Sequence, residues 1–463
     1  MSETVHAPST NEPQPGRLGA NYFKLFWAST ISNLGDGIAI IAYPWLASAI
    51  TRNPFLIALV AVVQRLPWLI FSLPAGVVTD RVDRRTIIVR ANVVRAFITL
   101  GVAFAVLARQ DMLPGPNEIS DASTVITTDV ALYVVILVAT VLLGIAEVFA
   151  DNASQTFMPS IVHADDLEKA NGRLWSTEQI ANTFAGPPLG ALLIAVAFAL
   201  PFFVDAGTFI VAAALVSLIP ATVRRTDLSQ VERKPWKDEL VEGFQWLWGH
   251  DFLKWLAIIL GLVNALGMMS FAVLVLFAQE VLDTSATEFA ILNTGGALGG
   301  IIGGWTASTI SKRIGPGPSL YTVLIGGGIT TALIGVVAWW PFTWLMFAIY
   351  MLFAVLWNVI TVSLRQTIIP DHLLGRVNSV YRFFGWGMMP IGSILGGLVV
   401  VSADMFVDRD LALRMPWFVA GALHIVLFVF AAPKLTTARI ESARAEGIAA
   451  NTSGESAGDQ GSS

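Results

Sequence analysis

The chain has 463 residues, 55% of them hydrophobic and only 13% charged, about half the charged fraction of an ordinary soluble protein, which excludes a soluble globular enzyme. Its formal charge of −5 offers no basic field for nucleic acid, and the absence of cysteine removes disulfide frameworks, thiolate metal sites and cysteine nucleophiles together. Twelve membrane spans of about 20 residues would use a little over half the chain, whereas a porin-type barrel would need an apolar–polar alternation that is missing.

Residues 1–22 read as a disordered cytosolic arm. The apolar run 23–50 is too long for a signal-peptide core and is expected to stay as a span. Further spans are expected at 55–79, 86–108, 129–152, 173–196 and 201–219, completing an N-terminal six-helix bundle over 23–219. A linker follows at 220–252, where Trp236, Leu240, Phe244, Leu247 and Trp248 recur at helical spacing and predict a helix lying in the membrane interface. A C-terminal six-helix bundle over 253–432 is expected from spans at 253–279, 288–310, 318–340, 342–364, 377–402 and 414–432. The tail 433–463, rich in Ala, Ser, Gly and Glu, reads as a disordered cytosolic extension. The expected fold is thus an all-α membrane protein with 12 transmembrane helices in two bundles.

With a cytosolic N-terminus, 19 of the 28 Lys and Arg fall in or beside cytosolic segments, so the positive-inside rule puts both termini in the cytosol. The halves repeat: Gln155-Thr156-Phe157-Met158-Pro159 returns as Gln366-Thr367-Ile368-Ile369-Pro370. That points to a six-helix unit duplicated in parallel orientation.

Ionisable and polar groups inside spans are costly in hydrocarbon and are functional candidates by default. Asn33 and Asp36 share a face of the first span, Arg65 lies at similar depth on the second, and Asn92, Arg95 and Thr99 form a stripe on the third. Glu147 and Asp151 stack on the fourth and Glu178 sits on the fifth. Helix rise pairs Asp36 with Arg65 and Glu147 with Arg95, either as a proton-coupling centre or as static pairs that make burial tolerable. Trp357, Asn358, Phe384 and Trp386 are deeper than the interfacial tryptophans and are candidates for a substrate wall. No Walker A, H-E-x-x-H or G-x-S-x-G sequence is present, so no enzymatic activity, cofactor or metal is expected.

The turn between the second and third spans reads Gly76-Val77-Val78-Thr79-Asp80-Arg81-Val82-Asp83-Arg84-Arg85. It resembles the G-x-x-x-D-R-x-G-R-R signature of the major facilitator superfamily, with Asp83 where that family usually has glycine. The resemblance implies that Gly76, Asp80, Arg81, Arg84 and Arg85 form a conformational latch, the Asp capping a helix and the arginines pairing with acidic groups; positive-inside alone would account for the arginines. Asn33-Leu34-Gly35-Asp36, Pro44-Trp45-Leu46, Met158-Pro159, Ala170-Asn171-Gly172 and Gly186-Pro187-Pro188-Leu189-Gly190 look like the enterobactin-exporter-like, drug:proton antiporter branch of that superfamily. In the last segment Gly186, Pro187 and Gly190 are similar to the antiporter motif that seals the pore, though small residues also serve plain helix packing.

The resemblance implies a monomeric cell-membrane transporter that exports an amphipathic small molecule, drug-like or siderophore-like, by proton antiport and alternating access, its partners being that substrate, protons and the lipid bilayer. A lipid or lysophospholipid flippase of the same fold is the alternative, and a non-transporting sensor a third.

Overall fold

The computed structural model describes residues 18–115, 118–119, 127–220 and 236–459, and all regular structure among them is helical. The first half of the chain forms α1 (Ala20–Ile50), α2 (Pro54–Arg81), α3 (Arg84–Leu107), α4 (Val130–Ile161), α5 (Leu167–Gln179), α6 (Gly186–Val196) and α7 (Leu200–Ser217). α5 and α6 are one span joined by a π-helical turn, Ile180–Ala185. The second half forms α8 (Trp236–Gly249), α9 (Leu253–Phe271), α10 (Leu274–Glu280), α11 (Ala286–Ile314), α12 (Pro316–Val336), α13 (Trp340–Ile368), α14 (Asp371–Ala403), α15 (Arg409–Ala431) and α16 (Thr437–Asp459).

Among the described residues, 11 helices are long and apolar enough to cross a membrane. The remaining expected span, 288–310, is α11, 29 residues long, whose glycines (Gly295, Gly296, Gly299, Gly300, Gly303 and Gly304) and Asn293 dilute its hydropathy. Those glycines serve packing: Gly295, Gly299 and Gly303 are buried at one-turn intervals on the face that meets α13.

The chain divides into two compact units. The first holds residues up to Ile50, Leu66–Glu118 and Thr128–Val231; the second holds Thr51–Arg65, Ile119–Thr127 and Glu232 onwards. Within the first, α1 packs on α5, α6 and α7, and α3 on α4 and α7. Within the second, α9 packs on α14 and α15, and α12 on α13 and α15, so each pairing has its counterpart under the predicted repeat. Pro159 stands near the last turn of α4, and Pro370, two residues past the end of α13, is the N-cap of α14, so the recurring segment ends corresponding helices.

Three features of the second unit add to the sequence reading or depart from it. First, the strip Thr51–Arg65, which the chain order assigns to the first bundle, packs here: a Cβ on Gly397 would stand 3.0 Å from Phe55 Cα and 2.9 Å from Ala58 Cβ. Charge ties the strip down. Arg52 donates to Gln279 Oε1 (2.6 Å) and lies 3.5 Å from Glu280; Arg409 donates to Glu280 (2.9 Å) and to the Arg52 carbonyl (2.8 Å). Second, the helix predicted in the linker is α8, and it is fastened to α14 by Arg376–Glu242 at 2.8 Å and by Phe244 and Trp248, which stack with Phe384. Third, the tail expected to be disordered carries α16. Its Ile440 and Ala443 are buried, and Gly447 abuts the end of α13 at Ile368, so a thin apolar face is enough to dock a segment whose average composition is polar. Most of the expected N-terminal arm lies outside the described residues.

Candidate functional site

Asp36 reaches from α1 and forms an ion pair with Arg95 of α3 inside the first unit. Arg95 is 5% exposed, Asp36 26%. The guanidinium carbon of Arg95 lies 4.0 Å from the centroid of Phe209 on α7, so the ring supports one face of the cation while the carboxylate takes a donor at its edge. Glu147 and Asp151 on α4 and Asp205 on α7 are close enough to Arg95 to interact electrostatically. Asn92 and Thr99, one turn either side of Arg95, are buried with it, which is the polar stripe expected on this helix. Helix α1 approaches α7 so closely that a Cβ on Gly35 would collide with Asp205 Oδ1 and Thr208 Oγ1. A larger residue beside Asp36 would therefore displace the Asp205 and Thr208 side chains from where they stand.

This arrangement replaces the first predicted pairing and adds a partner to the second. Arg65 is exposed and belongs to the second unit; Arg95, expected to pair with Glu147, forms its ion pair with Asp36 while Glu147 interacts with it electrostatically. Depth along a helix does not select the partner of a buried charge; azimuth about the helix axis does.

A second polar group lies one to two turns along α1. Ser29 donates to Glu178 of α5; Asn33 donates to the Ser29 carbonyl (2.9 Å) and accepts from Asn182 (3.4 Å) in the π-helical turn. The following Gly186-Pro187-Pro188-Leu189-Gly190 segment is pressed onto α1: a Cβ on Gly186 would stand 2.5 Å from Gly37 Cα, and one on Gly190 2.7 Å from the Ile38 carbonyl oxygen. Gly186, Pro187 and Gly190 are buried in this contact.

At the α2–α3 turn, Gly76, Asp80 and Arg81 lie on α2 outside the residues whose side chains are described. Arg84 donates to the Thr156 carbonyl of α4 (2.7 Å), and Arg85 donates to the Val216 carbonyl (3.4 Å) and to that of Ser217 at the end of α7. The bonds described for these two arginines are thus to backbone carbonyls, where the resemblance implied acidic partners. Capping of α3 falls to Asp83, which accepts from the Thr86 amide (3.0 Å) and hydroxyl (2.6 Å).

Of the aromatic candidates, Trp357 is 3% exposed in the hydrophobic core of the second unit, and Phe384 is engaged by α8. Asn358 and Trp386 are exposed. Nearby, Arg365 donates to Asn378 (2.8 Å) and stands 4.0 Å over the Tyr381 ring. Among the described residues, no group of three or more His, Cys, Asp or Glu is placed to hold a metal ion. Sequence reasoning missed Asp205, 2% exposed, although an aspartate in the apolar run 201–219 carries the same signal that singled out Asp36. It also missed the Arg52–Glu280–Arg409 group, whose members are far apart in sequence and lie at span ends, where charges are unremarkable.

The pattern that defines the Major Facilitator Superfamily matches residues 25–393. The multidrug efflux pump Tap of Mycolicibacterium fortuitum is 25% identical over 419 residues, covering 87% of this chain and 94% of Tap. The enterobactin exporter EntS of Shigella boydii serotype 4 is 25% identical over 383 residues, covering 81% of this chain and 84% of EntS. Among solved structures, a bacterial homologue of the iron transporter ferroportin in an inward-facing state matches in fold with a TM-score of 0.66 at 16% identity, over 89% of this chain and 98% of that one. Helices that span a membrane many times, a paired six-helix pattern and this match over most of the length lead to one assignment: the chain belongs to the Major Facilitator Superfamily and is a multi-pass membrane transporter, not an enzyme.

Proposed function

We propose that this transporter exports an amphipathic small molecule in exchange for protons, with its termini in the cytosol and Asp36–Arg95 as the coupling centre. The observation that carries the reading is the buried Arg95 with Asp36 bonded to it and Glu147, Asp151 and Asp205 nearby. Four carboxyl groups around one guanidinium, all fully ionised, would leave a large negative excess in a low-dielectric bundle, so such a cluster needs a proton or a cationic guest. Asp36 is the group whose proton would compete directly with Arg95, and the loss or gain of that ion pair can bias a two-state equilibrium between conformations. The efflux and export functions of Tap and EntS support the outward direction and the small-molecule class. Gly186 to Gly190 would act as the close-packed hinge of α6 on α1, and the Asp80–Arg85 turn as the latch.

The test is reconstitution in proteoliposomes with ethidium as probe and an imposed pH gradient. Wild type should accumulate ethidium against its gradient, and Asp36→Asn should abolish accumulation while retaining downhill flux. Accumulation by Asp36→Asn at the wild-type level would remove Asp36 from coupling. Movement of a labelled phospholipid by wild type without a pH gradient, with no ethidium accumulation, would replace the antiporter with a flippase.

A further inference from the structure

Asp205 is a buried carboxylate to which the coupling scheme gives no task. Its carboxylate accepts a long hydrogen bond of 3.4 Å from Thr208, and among the described residues no cation is bonded to it. It nevertheless stands beside the coupling cation. Phe209, over which Arg95 lies, follows Asp205 by one turn on the same face of α7. Across the contact, Asp205 Oδ1 abuts α1 at Gly35, the residue next to Asp36. The two carboxylates thus flank one guanidinium from two helices. Arg95 has donors to spare: Nη2 bonds Asp36, while Nε is buried and makes no hydrogen bond. Tyr43 from α1 and Glu147 and Asp151 from α4 also face this group, but the Arg95 side chain already rests on α7.

We propose that Asp205 is the alternate partner of Arg95: when Asp36 takes up a proton or a cationic guest, the guanidinium slides over Phe209 from α1 to α7 and pairs with Asp205. The positive charge is then never left alone in the bundle, and α3 exchanges its bond to α1 for a bond to α7. No covalent bond changes; the step moves one ion pair and leaves the proton on Asp36. Asp205 is a positioning residue in this scheme. For its place in the transport cycle the exchange rests on the antiport reading, but the pairing itself is measurable without substrate.

The first measurement is thermal unfolding of the purified full-length chain in detergent, for Asp36→Asn, Asp205→Asn and the double variant. Each single variant leaves Arg95 one of the two carboxylates that flank it from α1 and α7, so each should lose little in Tm, whereas the double should lose clearly more than the two single losses added. Arg95→Gln introduced into the double variant should restore much of that loss, even if the double itself accumulates poorly. Additive losses, or no rescue by Arg95→Gln, would overturn the exchange. The second measurement is ethidium accumulation in proteoliposomes. Asp205→Asn should flatten its dependence on the pH gradient, and Asp205→Glu should restore it; an unchanged dependence in Asp205→Asn would remove Asp205 from the cycle. Wild-type flux indifferent to the gradient would overturn the antiport reading, and the thermal cycle would then decide the pairing by itself.

Discussion

Asp83 occupies the position where the superfamily signature usually has glycine, and its carboxylate caps α3 through the Thr86 amide and hydroxyl. Losing such a cap typically costs about 1 kcal/mol. Asp83→Ala should therefore lower Tm modestly and leave ethidium flux near wild type, whereas Asp80→Asn, if Asp80 is the latch, should keep Tm and lose most of the flux. Measuring both quantities on both variants separates a cap from a latch, and flux lost in Asp83→Ala alone would exchange the roles. A second single-residue effect concerns His250, which lies between α8 and α9 and whose Nδ1 accepts from the Phe252 and Leu253 amides at 3.3 Å each. Burial, chiefly, holds the imidazole below its ordinary value of 6.5, against the opposing pull of Glu446. The neutral ring is the form that can accept these amides at a helix N-terminus. Because the folded value lies below the unfolded one, its stabilisation is present above pH 6.5 and is lost as pH falls through the folded value. Tm of wild type should decline over that range, and His250→Asn, a capping residue without a titrating ring, should remove that part of the decline. At this scale the sequence was informative about which residues matter and poor about their partners. Asp36 and Arg95 were both legible as costly intramembrane groups, but their pairing depends on helix rotation, which hydropathy does not encode.

Helices α8 and α16 both rest on the second unit through narrow apolar faces, yet only α8 was legible in advance. Its aromatic residues recur at helical spacing, while α16 presents just Ile440 and Ala443 as buried apolar side chains on a polar background. Most of the remaining boundaries were legible because each span must cover the hydrocarbon thickness, so length and hydropathy fix it within several residues, although the fourth, expected to end at 152, continues as helix to Ile161. Two further departures have local causes. The fifth span changes to π-helix at Ile180–Ala185 just before Gly186-Pro187-Pro188, and the seventh is interrupted after Phe271. Ending the chain after Leu435 should remove the burial of Ile440, for which an aliphatic side chain is worth about 2 kcal/mol. The expected result is a Tm lower by a few degrees with transport retained, measured in detergent and in proteoliposomes. An unchanged Tm would mean that α16 contributes nothing to the unit it touches. For α8, Glu242→Gln should loosen the tie to Arg376 and raise hydrogen exchange in α8 ahead of α14.

On the scale of the whole chain, the second unit gathers Arg52, Glu280 and Arg409 at the end that the charge distribution assigns to the outside. Burial and the neighbouring Arg409 lower the Arg52 value, with Glu280 opposing, yet an arginine keeps its charge throughout the working range. Glu280→Gln would leave two guanidinium groups facing one another, with an expected loss of roughly 1–2 kcal/mol that high salt partly restores. Thermal unfolding at two ionic strengths checks this, and equal losses at both would assign the effect to hydrogen bonding alone. The strip Thr51–Arg65 that this cluster holds has a consequence for how such a gene can be divided or recombined. The compositional seam of the chain lies at 220–252, but the packing seam also passes through α2 between Arg65 and Leu66. A gene cut at the linker would give an N-terminal fragment carrying a strip whose neighbours, such as Gly397, are encoded on the other fragment. Halves exchanged between relatives would thus be joined at a point where the polypeptide divides cleanly but the packing does not, and residues 51–65 would have to be refitted to their new neighbours before the hybrid is sound.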